Sequence, residues 1–517
     1  MDSRNNHLCA SAEDNKNPND KMACSISSQE ITSTFTMKKP KKPHILILMT
    51  DQQRADHTPM ENHPYVHSPT IAEIAEHGTY FRNAYVPSPV CVPGRQSILS
   101  GQYPRHCGCR RFGEDLAPDV VTYPQWLGNH GYYTAAAGKM HFMGQDQMHG
   151  WQRRMGFDQT TPAFAYEGFD RKASRELVDP IDGTGKWIWD DEVRNARYGE
   201  GYWARHDRYA VDGALMFLDQ FFADPDYDRI GQRPLLLQVS LLMPHYPYIC
   251  REEWFNYYMN RVEPYADAPV EMHPCQRQRR LEIGIDVTER QVQRATAAYC
   301  GMISETDEQF KRVIDKLKHL GVYEDFIIVF HSDHGDMMGE LGCWEKFVFF
   351  DGSARAPLLI SAPGQSWKRQ TINQNVNHLD LCPTLCDLVD LPRPKELDGS
   401  SLAPLIHGQC EEDPEAITYS ELYDYSKLDD RKFHHWSPGT QLMIRKGKWK
   451  FATYEMEDWP DQLFDLEADP GEKKNLAAKK GSKNQVKEFK RLAQDFWKEE
   501  RRPSFPVRKG RWQYGPG

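Results

Sequence analysis

Continuous apolar runs alternate with amphipathic segments along the first 370 residues of the chain. The runs HILILMTD, PLLLQVSLLMPH, FIIVFHSDHGD and APLLI lack polar–apolar alternation, which is typical of strands buried on both faces of a parallel sheet. The segments between them, such as SPTIAEIAEHG, RYAVDGALMFLDQFF and QRATAAYCGMISETDEQFKRVIDKLKHLG, repeat apolar residues at helical spacing. A helix and a strand ending near Gly138 are predicted in TYPQWLGNHGYYTAAAGK. This alternation predicts an α/β/α sandwich around a mostly parallel central sheet.

The pattern changes after about residue 370. The segment QLMIRKGKWKFATY predicts a β-hairpin that turns at Lys446-Gly447-Lys448, QLFD predicts a short strand, and NQVKEFKRLAQDFWKEE predicts a terminal helix. We therefore expect three parts: a disordered leader at 1–42, a main domain at 43–370, and a smaller α+β subdomain with an antiparallel sheet at 371–517.

Composition narrows the class of protein. The net charge of −10 over 517 residues argues against a general nucleic-acid binder, and no apolar run approaches the length of a membrane span. We therefore expect no nucleic-acid or membrane partner, while the sequence does not indicate an oligomeric state.

The N-terminal leader and the cysteines indicate the cellular compartment in which the protein is expected. The first 36 residues are polar and lack the basic and apolar regions of a secretory signal, and either Met1 or Met37 can be the start. The twelve cysteines are scattered, without a CxxC pair array. Both features favour a reduced, cytoplasmic protein, with a periplasmic or secreted location as the alternative if the start differs.

Polar residues follow the predicted strands at the points where these strands end. They are Asp51-Gln52, Lys139 with His141, His245, and Asp333-His334. A single strand-end Asp often caps a helix, and a single His is more often structural, but such clusters at successive strand ends can converge on one site. Carboxylate and amide oxygens with one imidazole suit Ca²⁺, Mg²⁺ or Mn²⁺. Lys139 and Lys346 would neutralise anionic oxygens, which predicts a sulfate or phosphate substrate.

Cys91 lies in CVPGRQSILSG, a predicted helix that begins near Pro93 and ends at Gly101. A group at a helix N-terminus meets free N–H groups and the positive end of the dipole, which favours anions. A thiolate there could itself be a nucleophile. A soft thiolate is nevertheless a poor match for a metal site made of hard oxygen ligands.

The motif CVPGR resembles the C-x-P-x-R signature of type I sulfatases of the alkaline phosphatase superfamily, in which the cysteine is oxidised to formylglycine. HILILMTDQQRAD, GKMHFMG, PHYPY, SDHGDMMGELGCWEK and ARAPLLI follow in the family's order, and the resemblance covers about residues 43 to 475. GKMHFMGQDQMHG and WEKFVFFDGSARAPL are most similar to choline-sulfatase-type members. The resemblance implies an alkaline phosphatase-like fold and an enzyme that releases inorganic sulfate from a sulfate ester.

The resemblance also implies the site and its chemistry. One divalent cation would be bound by Asp51, Gln52, the modified Cys91, Asp333 and His334. One hydroxyl of the hydrated formylglycine attacks sulfur, and the second loses its proton as sulfate leaves. By this resemblance, Arg95 would hold the modified residue and Lys139 would bind sulfate oxygens. His141 would be the base, and His245 and Lys346 would assist departure of the leaving group.

The chain departs from the usual family pattern at the metal site. Many sulfatases have two aspartates in place of Asp51-Gln52 and Asp-Asn in place of Asp333-His334, and Ala or Ser in place of Gly94. The pairs found here resemble those of phosphonate monoester hydrolases and choline sulfatases. Ca²⁺ is the metal that we expect, with Mn²⁺ or Mg²⁺ as alternatives, and these departures leave both the identity of the metal and a strict preference for sulfate open.

Two alternatives to sulfatase activity remain: a phosphonate monoester or phosphodiester hydrolase of the same fold, and an inactive, metal-stabilised binding protein. The expected partners are a sulfated saccharide or other small sulfate ester and a formylglycine-generating maturation enzyme. The inserted segment around 164–206 contains four aromatic residues that either stack on a sugar or quaternary ammonium or pack the insertion. They are Trp187, Trp189, Tyr202 and Trp203.

Overall fold

A computed structural model describes residues 42–156, 192–223, 233–265, 271–277, 287–424 and 439–498, and the backbone of 505–506. The predicted leader, apart from Lys42, and the aromatic residues Trp187 and Trp189 lie outside the described residues. Within the described residues, no helix combines the length and the apolar character needed to cross a membrane.

The strands are β1 His44–Thr50, β2 Gly78–Phe81, β3 Ala84–Tyr85, β4 Glu114–Asp115, β5 Tyr133–Gly138, β6 Arg153–Met155, β7 Arg197–Tyr198, β8 Leu235–Ser240, β9 Ile249–Cys250, β10 Phe326–Ser332, β11 Leu358–Ser361, β12 Gln370–Ile372, β13 Val376–Asn377, β14 Ile417–Leu422, β15 Gln441–Lys446, β16 Trp449–Tyr454, β17 Gln462–Asp465 and β18 Phe505–Pro506. The helices are α1 Pro69–Ala75, α2 Cys91–Ser100, α3 Pro104–Cys107, α4 Tyr123–Asn129, α5 Tyr202–Ala223, α6 Glu252–Met259, α7 Glu289–His319, α8 Asp351–Ala354, α9 Leu381–Leu388, α10 Ala403–Ile406 and α11 Lys483–Lys498.

The large sheet has eight strands in the order β12-β2-β11-β10-β1-β8-β5-β6. Five consecutive strands of this sheet run parallel to one another: β10, β1, β8, β5 and β6. Strand β11 runs antiparallel to both of its neighbours, β10 and β2. The predicted α/β class with a mostly parallel central sheet is therefore confirmed.

The sheet is covered by a hydrophobic core on each face. Side chains alternate between the two faces of a strand, and in β1 Ile45 and Ile47 belong to one core while Leu46 and Leu48 belong to the other. The first core includes apolar residues of α2, α4 and α9, and the second includes residues of α1, α5 and α7. Because both faces are covered, the strands show the uninterrupted apolar runs from which they were predicted.

The carboxyl ends of four adjacent parallel strands meet at one edge of this sheet. Thr50 of β1 pairs with Ser332 of β10, and Ser240 of β8 pairs with both Met49 of β1 and Gly138 of β5. The residues that directly follow these strands are therefore neighbours in space although they are distant in sequence.

A separate antiparallel sheet is formed by β14, β15, β16 and β17. The predicted hairpin joins β15 and β16 through Gly447, whose φ is +51°, and α11 packs Phe489 and Phe496 into the core of this sheet. Strand β12 still pairs with β2 in the large sheet, and α9 contributes to the first core of that sheet. The predicted boundary at residue 370 stays a prediction.

Lys450 of β16 connects the small sheet to the segment before α8. Its buried ammonium donates to the carbonyl of Phe349 at 2.9 Å and lies 2.5 Å from Asp351 Oδ1 and 2.7 Å from Glu472 Oε1. Burial would lower the pKa of Lys450, but Asp351 and Glu472 raise it above its ordinary value. The ammonium is thus a charged centre that the buried carboxylate of Glu472 and the partly buried carboxylate of Asp351 share.

We predict that Lys450→Met lowers the free energy of unfolding by about 3–5 kcal/mol, because it leaves the buried carboxylate of Glu472 without its cation. Lys448→Met is the matched control, since Lys448 is a solvent-accessible lysine at the same hairpin that pairs with Asp465, and such a surface pair contributes little to stability. Urea denaturation of the two variants measures the difference. Equal losses would contradict this account of Lys450.

Candidate active site

Asp51, Cys91, Asp333 and His334 form a buried cluster at the carboxyl edge of the large sheet. One ligating atom of each residue lies within 4.8 Å of the others. The Cys91 Sγ lies 3.1 Å from His334 Nε2 and 3.9 Å from Asp51 Oδ1. The pairing of β1 with β10 brings the two carboxylates together, and the start of α2 brings Cys91 to them.

Gly94 allows the first turn of α2 to approach the sheet edge closely. A Cβ atom at this position would lie 2.7 Å from the carbonyl oxygen of Ser88 and 3.4 Å from that of Asp333. Contacts below 3.0 Å force a displacement, so a side chain here would require the backbone at Ser88 or the first turn of α2 to shift. The glycine of CVPGR therefore has a packing reason.

Arg95 lies one turn after the start of α2 and joins the two carboxylates. Its Nη2 donates to Asp51 Oδ2 at 2.9 Å, and its Nε donates to Asp333 Oδ2 at 2.6 Å. Its Nη1 donates to the carbonyl of Lys139 and the hydroxyl of Ser240, both at 2.9 Å. One buried guanidinium thus contacts residues at the ends of β1, β10, β5 and β8.

Lys139 places a second cation against Asp51. The Lys139 Nζ donates to Asp51 Oδ2 at 2.5 Å, and both side chains are completely buried. Burial would raise the pKa of Asp51, but the charges of Lys139 and Arg95 hold it well below its ordinary value. The ionised carboxylate therefore gives one oxygen to these cations and keeps Oδ1 on the side of Cys91.

The environment of Cys91 is electropositive. Burial and the charge of Asp51 raise the pKa of the thiol, but Lys139, Lys346 and His334 outweigh them and lower it. An anion at this position is stabilised by the same charges, together with the N-terminus of α2.

Lys346 links three members of the site. Its Nζ donates to Gln52 Oε1 at 2.7 Å and to Cys91 Sγ at 3.3 Å, and it lies 2.8 Å from His245 Nε2. The residue thus reaches the cluster from the segment after β10, whereas Gln52 reaches it from β1. The sequence alone does not indicate that Lys346 and Gln52 are in contact.

The contacts of His245 define its tautomer. Its Nδ1 lies 2.6 Å from the carbonyl of Tyr246, and a carbonyl only accepts, so Nδ1 carries the hydrogen. Its Nε2 faces the ammonium of Lys346, which only donates, so Nε2 is the acceptor. Trp203 Nε1 donates to the same carbonyl at 2.7 Å, and its ring lies edge-on to His245. The aromatic Trp203 is thus buried beneath the site.

His141 is buried beside these charges. Burial, followed by the charges of Lys139 and Arg95, holds the pKa of His141 well below its ordinary value, so the imidazole is neutral. Gln96 Nε2 donates to its backbone carbonyl at 3.2 Å, and its ring lies edge-on to Phe112. The role of His141 as the base stays a prediction, since the same surroundings that keep its imidazole neutral also disfavour its protonated form.

The donor set fits one divalent cation. Asp51 and Asp333 offer carboxylate oxygens, Gln52 offers an amide oxygen, and His334 offers Nε2, because its Nδ1 lies 2.9 Å from the carbonyl of Gly335. Oxygen ligands with one imidazole are common to Ca²⁺, Mg²⁺ and Mn²⁺ sites. The buried Asp/Cys/Asp/His cluster therefore fits both a metal site and a formylglycine at position 91.

All residues of the predicted site lie at this edge of the sheet: Asp51, Gln52, Cys91, Arg95, Lys139, His141, His245, Asp333, His334 and Lys346. Their individual roles stay predictions. Sequence reasoning missed Ser240, which holds Arg95, and Asp336, which contacts Gln52. Asp336 carried a signal, since it follows the same strand as Asp333 within SDHGD.

The fold and the site define a class of protein: an enzyme built on an α/β/α sandwich, with a buried Asp/Cys/Asp/His cluster and three cations at the carboxyl edge of its sheet. Residues 43–391 match the family described as Sulfatase, and residues 339–499 match the region described as N-sulphoglucosamine sulphohydrolase, C-terminal. The chain belongs to the sulfatase family and is a sulfuric ester hydrolase, as its sequence predicted.

Relatives and a solved structure agree with this family. Choline-sulfatase of Rhizobium meliloti (strain 1021) is 34% identical over 84% of this chain and 82% of its own length. Arylsulfatase K of Gallus gallus is 28% identical over 85% of this chain and 79% of its own length. The crystal structure of the phosphonate monoester hydrolase of Agrobacterium radiobacter matches with a TM-score of 0.72 and 21% identity, over 88% of this chain and 96% of that one. At this identity the structural match supports the fold alone.

Proposed function

We propose that the enzyme hydrolyses the sulfate ester of a small alcohol or saccharide, with formylglycine formed from Cys91 as the nucleophile and one divalent cation, Ca²⁺ first, as cofactor. The observation that carries this proposal is the position of Cys91 Sγ, which lies 3.1 Å from His334 Nε2 and 3.3 Å from Lys346 Nζ, beside Asp51. A maturation enzyme that oxidises Cys91 is the partner that this chemistry requires.

The hydrated formylglycine would supply a hydroxyl nucleophile and a second hydroxyl for the expulsion of sulfate, and the cation would supply Lewis-acid activation. Asp51, Gln52, Asp333 and His334 would hold that cation. Arg95 keeps the two carboxylates in place and fixes the start of α2, on which the modified residue is carried.

The cations of the site recognise the sulfate group. A sulfate monoester carries one negative charge, and the ammonium groups of Lys139, beside Asp51, and Lys346, beside Cys91, would stabilise the charge developing in the transition state. The neutral His141 would be the base for the elimination of sulfate, and the negative charge that the bound substrate brings would favour its protonation.

Lys346 and His245 assist departure of the alcohol as a pair. In the tautomer defined by Tyr246, His245 Nε2 has no hydrogen of its own and accepts from Lys346. The proton for the leaving oxygen therefore starts on Lys346, and His245 orients the ammonium or relays its proton.

A phosphonate monoester or phosphodiester hydrolase is the second candidate. The observation that favours it is the metal set, in which Gln52 and His334 stand where many sulfatases have Asp and Asn. Turnover of p-nitrophenyl sulfate and of p-nitrophenyl phenylphosphonate by the same preparation separates the two activities. We expect the larger kcat/KM for the sulfate, and the reverse order would assign the second function.

We predict that active enzyme contains formylglycine at position 91. Peptide mass spectrometry of the 91–95 region measures the conversion, and Cys91→Ser is expected to form at most a trapped sulfo-enzyme, because serine lacks the second hydroxyl. Cys410→Ser, at an exposed cysteine, is the control and should keep full activity. Full turnover by enzyme with an entirely unmodified Cys91 would refute the mechanism.

We predict that Asp333→Ala abolishes metal binding and activity together, because it removes a charged ligand from a buried cation. Metal content of the purified variant, measured by mass spectrometry of the elements, is the readout. Asp307→Ala is the control, since this buried aspartate caps α1 through Thr70 and Ile71 instead of facing the cluster. Full metal occupancy in Asp333→Ala would contradict the ligand assignment.

We predict that Lys346→Ala and His245→Ala slow an alkyl or sugar sulfate by about 10²–10⁴-fold, the usual contribution of general-acid catalysis, with the larger loss for Lys346→Ala. Both variants should slow p-nitrophenyl sulfate much less, because nitrophenolate leaves without a proton. Steady-state rates on the two substrates give the comparison, and His106→Ala, at a histidine paired with Asp398, is the control. Equal losses on both substrates would mean that the pair only binds sulfate or holds structure.

A further inference from the structure

We propose that Asp336 is a positioning residue that sets the direction of the Gln52 amide and the backbone at Lys346, so that a metal ligand and an anion-binding lysine are held as one unit. This inference rests on the metal site of the proposed function. Asp336 lies three residues after Asp333 and is completely buried.

Each carboxylate oxygen of Asp336 accepts two hydrogen bonds. Oδ2 accepts from Gln52 Nε2 at 2.5 Å and from the hydroxyl of Tyr248 at 2.7 Å. Oδ1 accepts from the backbone N–H of Met338 at 2.9 Å and from that of Glu345 at 3.0 Å. The bond to Met338 is a local turn contact of a kind that many aspartates make, whereas the other three reach distant segments of the chain.

The amide of Gln52 lies between two charges of opposite sign. Its Oε1 accepts from Lys346 Nζ at 2.7 Å, and its Nε2 donates to the carboxylate of Asp336. A reversed amide would place NH₂ against an ammonium and C=O against a carboxylate. The two charges therefore select the orientation that keeps the oxygen on the side of Cys91, where a cation needs it.

This contact also gives a reason for glutamine at position 52. A carboxylate there would face the carboxylate of Asp336 at the short distance that the amide now occupies. The replacement of the usual aspartate by Gln52 and the presence of Asp336 are thus two parts of one arrangement.

The same carboxylate supports the backbone that carries Lys346. The residues on both sides of Lys346 adopt left-handed conformations, with φ of +57° at Glu345 and +67° at Phe347. Such conformations in residues other than glycine persist where the surroundings hold them. Asp336 Oδ1 accepts the N–H of Glu345, and the N–H of Met337 donates to the carbonyl of Glu345 at 2.7 Å. Both sides of Glu345 are therefore fixed by the Asp336 turn.

A double-mutant cycle of Asp336→Asn and Gln52→Glu tests the inference. In Asp336→Asn the oxygen of the new amide stays with the two backbone N–H groups, so its NH₂ faces Gln52 and reverses the Gln52 amide. In the double variant, position 336 carries the amide and position 52 carries the carboxylate. The amide at position 336 then donates to one oxygen of the carboxylate at position 52, and the other oxygen faces Lys346 and the metal.

The readout is the dissociation constant for Ca²⁺, measured by calorimetry on the full chain after chelation. We expect Asp336→Asn to weaken binding by about 10–100-fold, the range for residues that orient metal ligands. Gln52→Glu should tighten binding in the Asp336→Asn background and fail to do so in the parent chain. At saturating Ca²⁺, kcat/KM per formylglycine should also recover in the double variant relative to Asp336→Asn.

Asp307→Asn controls for the loss of a buried carboxylate, and it should leave Ca²⁺ binding unchanged. Equal effects of Gln52→Glu in the two backgrounds, or parental Ca²⁺ binding by Asp336→Asn, would overturn the inference while leaving the proposed function in place. A parent enzyme that binds no divalent cation would overturn both. If Asp336→Asn does not fold, the double variant is still expected to fold and bind Ca²⁺, and its failure would overturn the inference.

Discussion

The guanidinium of Arg95, buried between the carboxylates of Asp51 and Asp333, is the interaction on which the active edge of the sheet depends. Two carboxylates at the ends of adjacent strands repel each other, and burying unpaired charges costs several kcal/mol each. Arg95 neutralises this repulsion through bonds of 2.9 and 2.6 Å. Because it belongs to α2, it also fixes the helix whose first residue is Cys91.

Much of this edge could be predicted from the sequence. The apolar runs that end at Asp51, His245 and Asp333 identified parallel strands, and the carboxyl ends of parallel strands share one side of a sheet. The direction of β11 could not be predicted in this way, because a buried apolar run looks the same in parallel and antiparallel pairing. Its reversal follows from tertiary pairing with β10 and β2.

The contacts of individual atoms could not be predicted from the sequence either, because they join residues that only the fold brings together. Asp336 meets Gln52 across 284 positions of the chain, and no local pattern encodes such a pairing. The tautomer of His245 likewise depends on the carbonyl of Tyr246 and the ammonium of Lys346, which only the folded loop brings to its two nitrogens. Residue types at strand ends therefore predicted which groups converge, whereas proton positions and amide directions required the structure.

The segment that carries Lys346 also joins the active site to the small sheet. Asp336 holds this segment at Glu345, and Lys450 of β16 holds it at Phe349. The C-terminal sheet thus supports a residue of the candidate active site, although its own strands contribute no residue to the buried cluster described here.

The charges of the site cannot by themselves determine which anionic ester is bound. Three cations, Arg95, Lys139 and Lys346, face the carboxylates of Asp51 and Asp333, and a divalent cation makes the site more positive still. Such a site attracts any tetrahedral monoanion, and sulfate monoesters, phosphodiesters and phosphonate monoesters all carry one negative charge. Net charge therefore cannot separate these esters. Selection among them must come from where donors meet individual oxygens and from how the leaving group is protonated. The roles proposed for the amide of Gln52 and for the Lys346–His245 pair concern these two steps, and net charge has no influence on either.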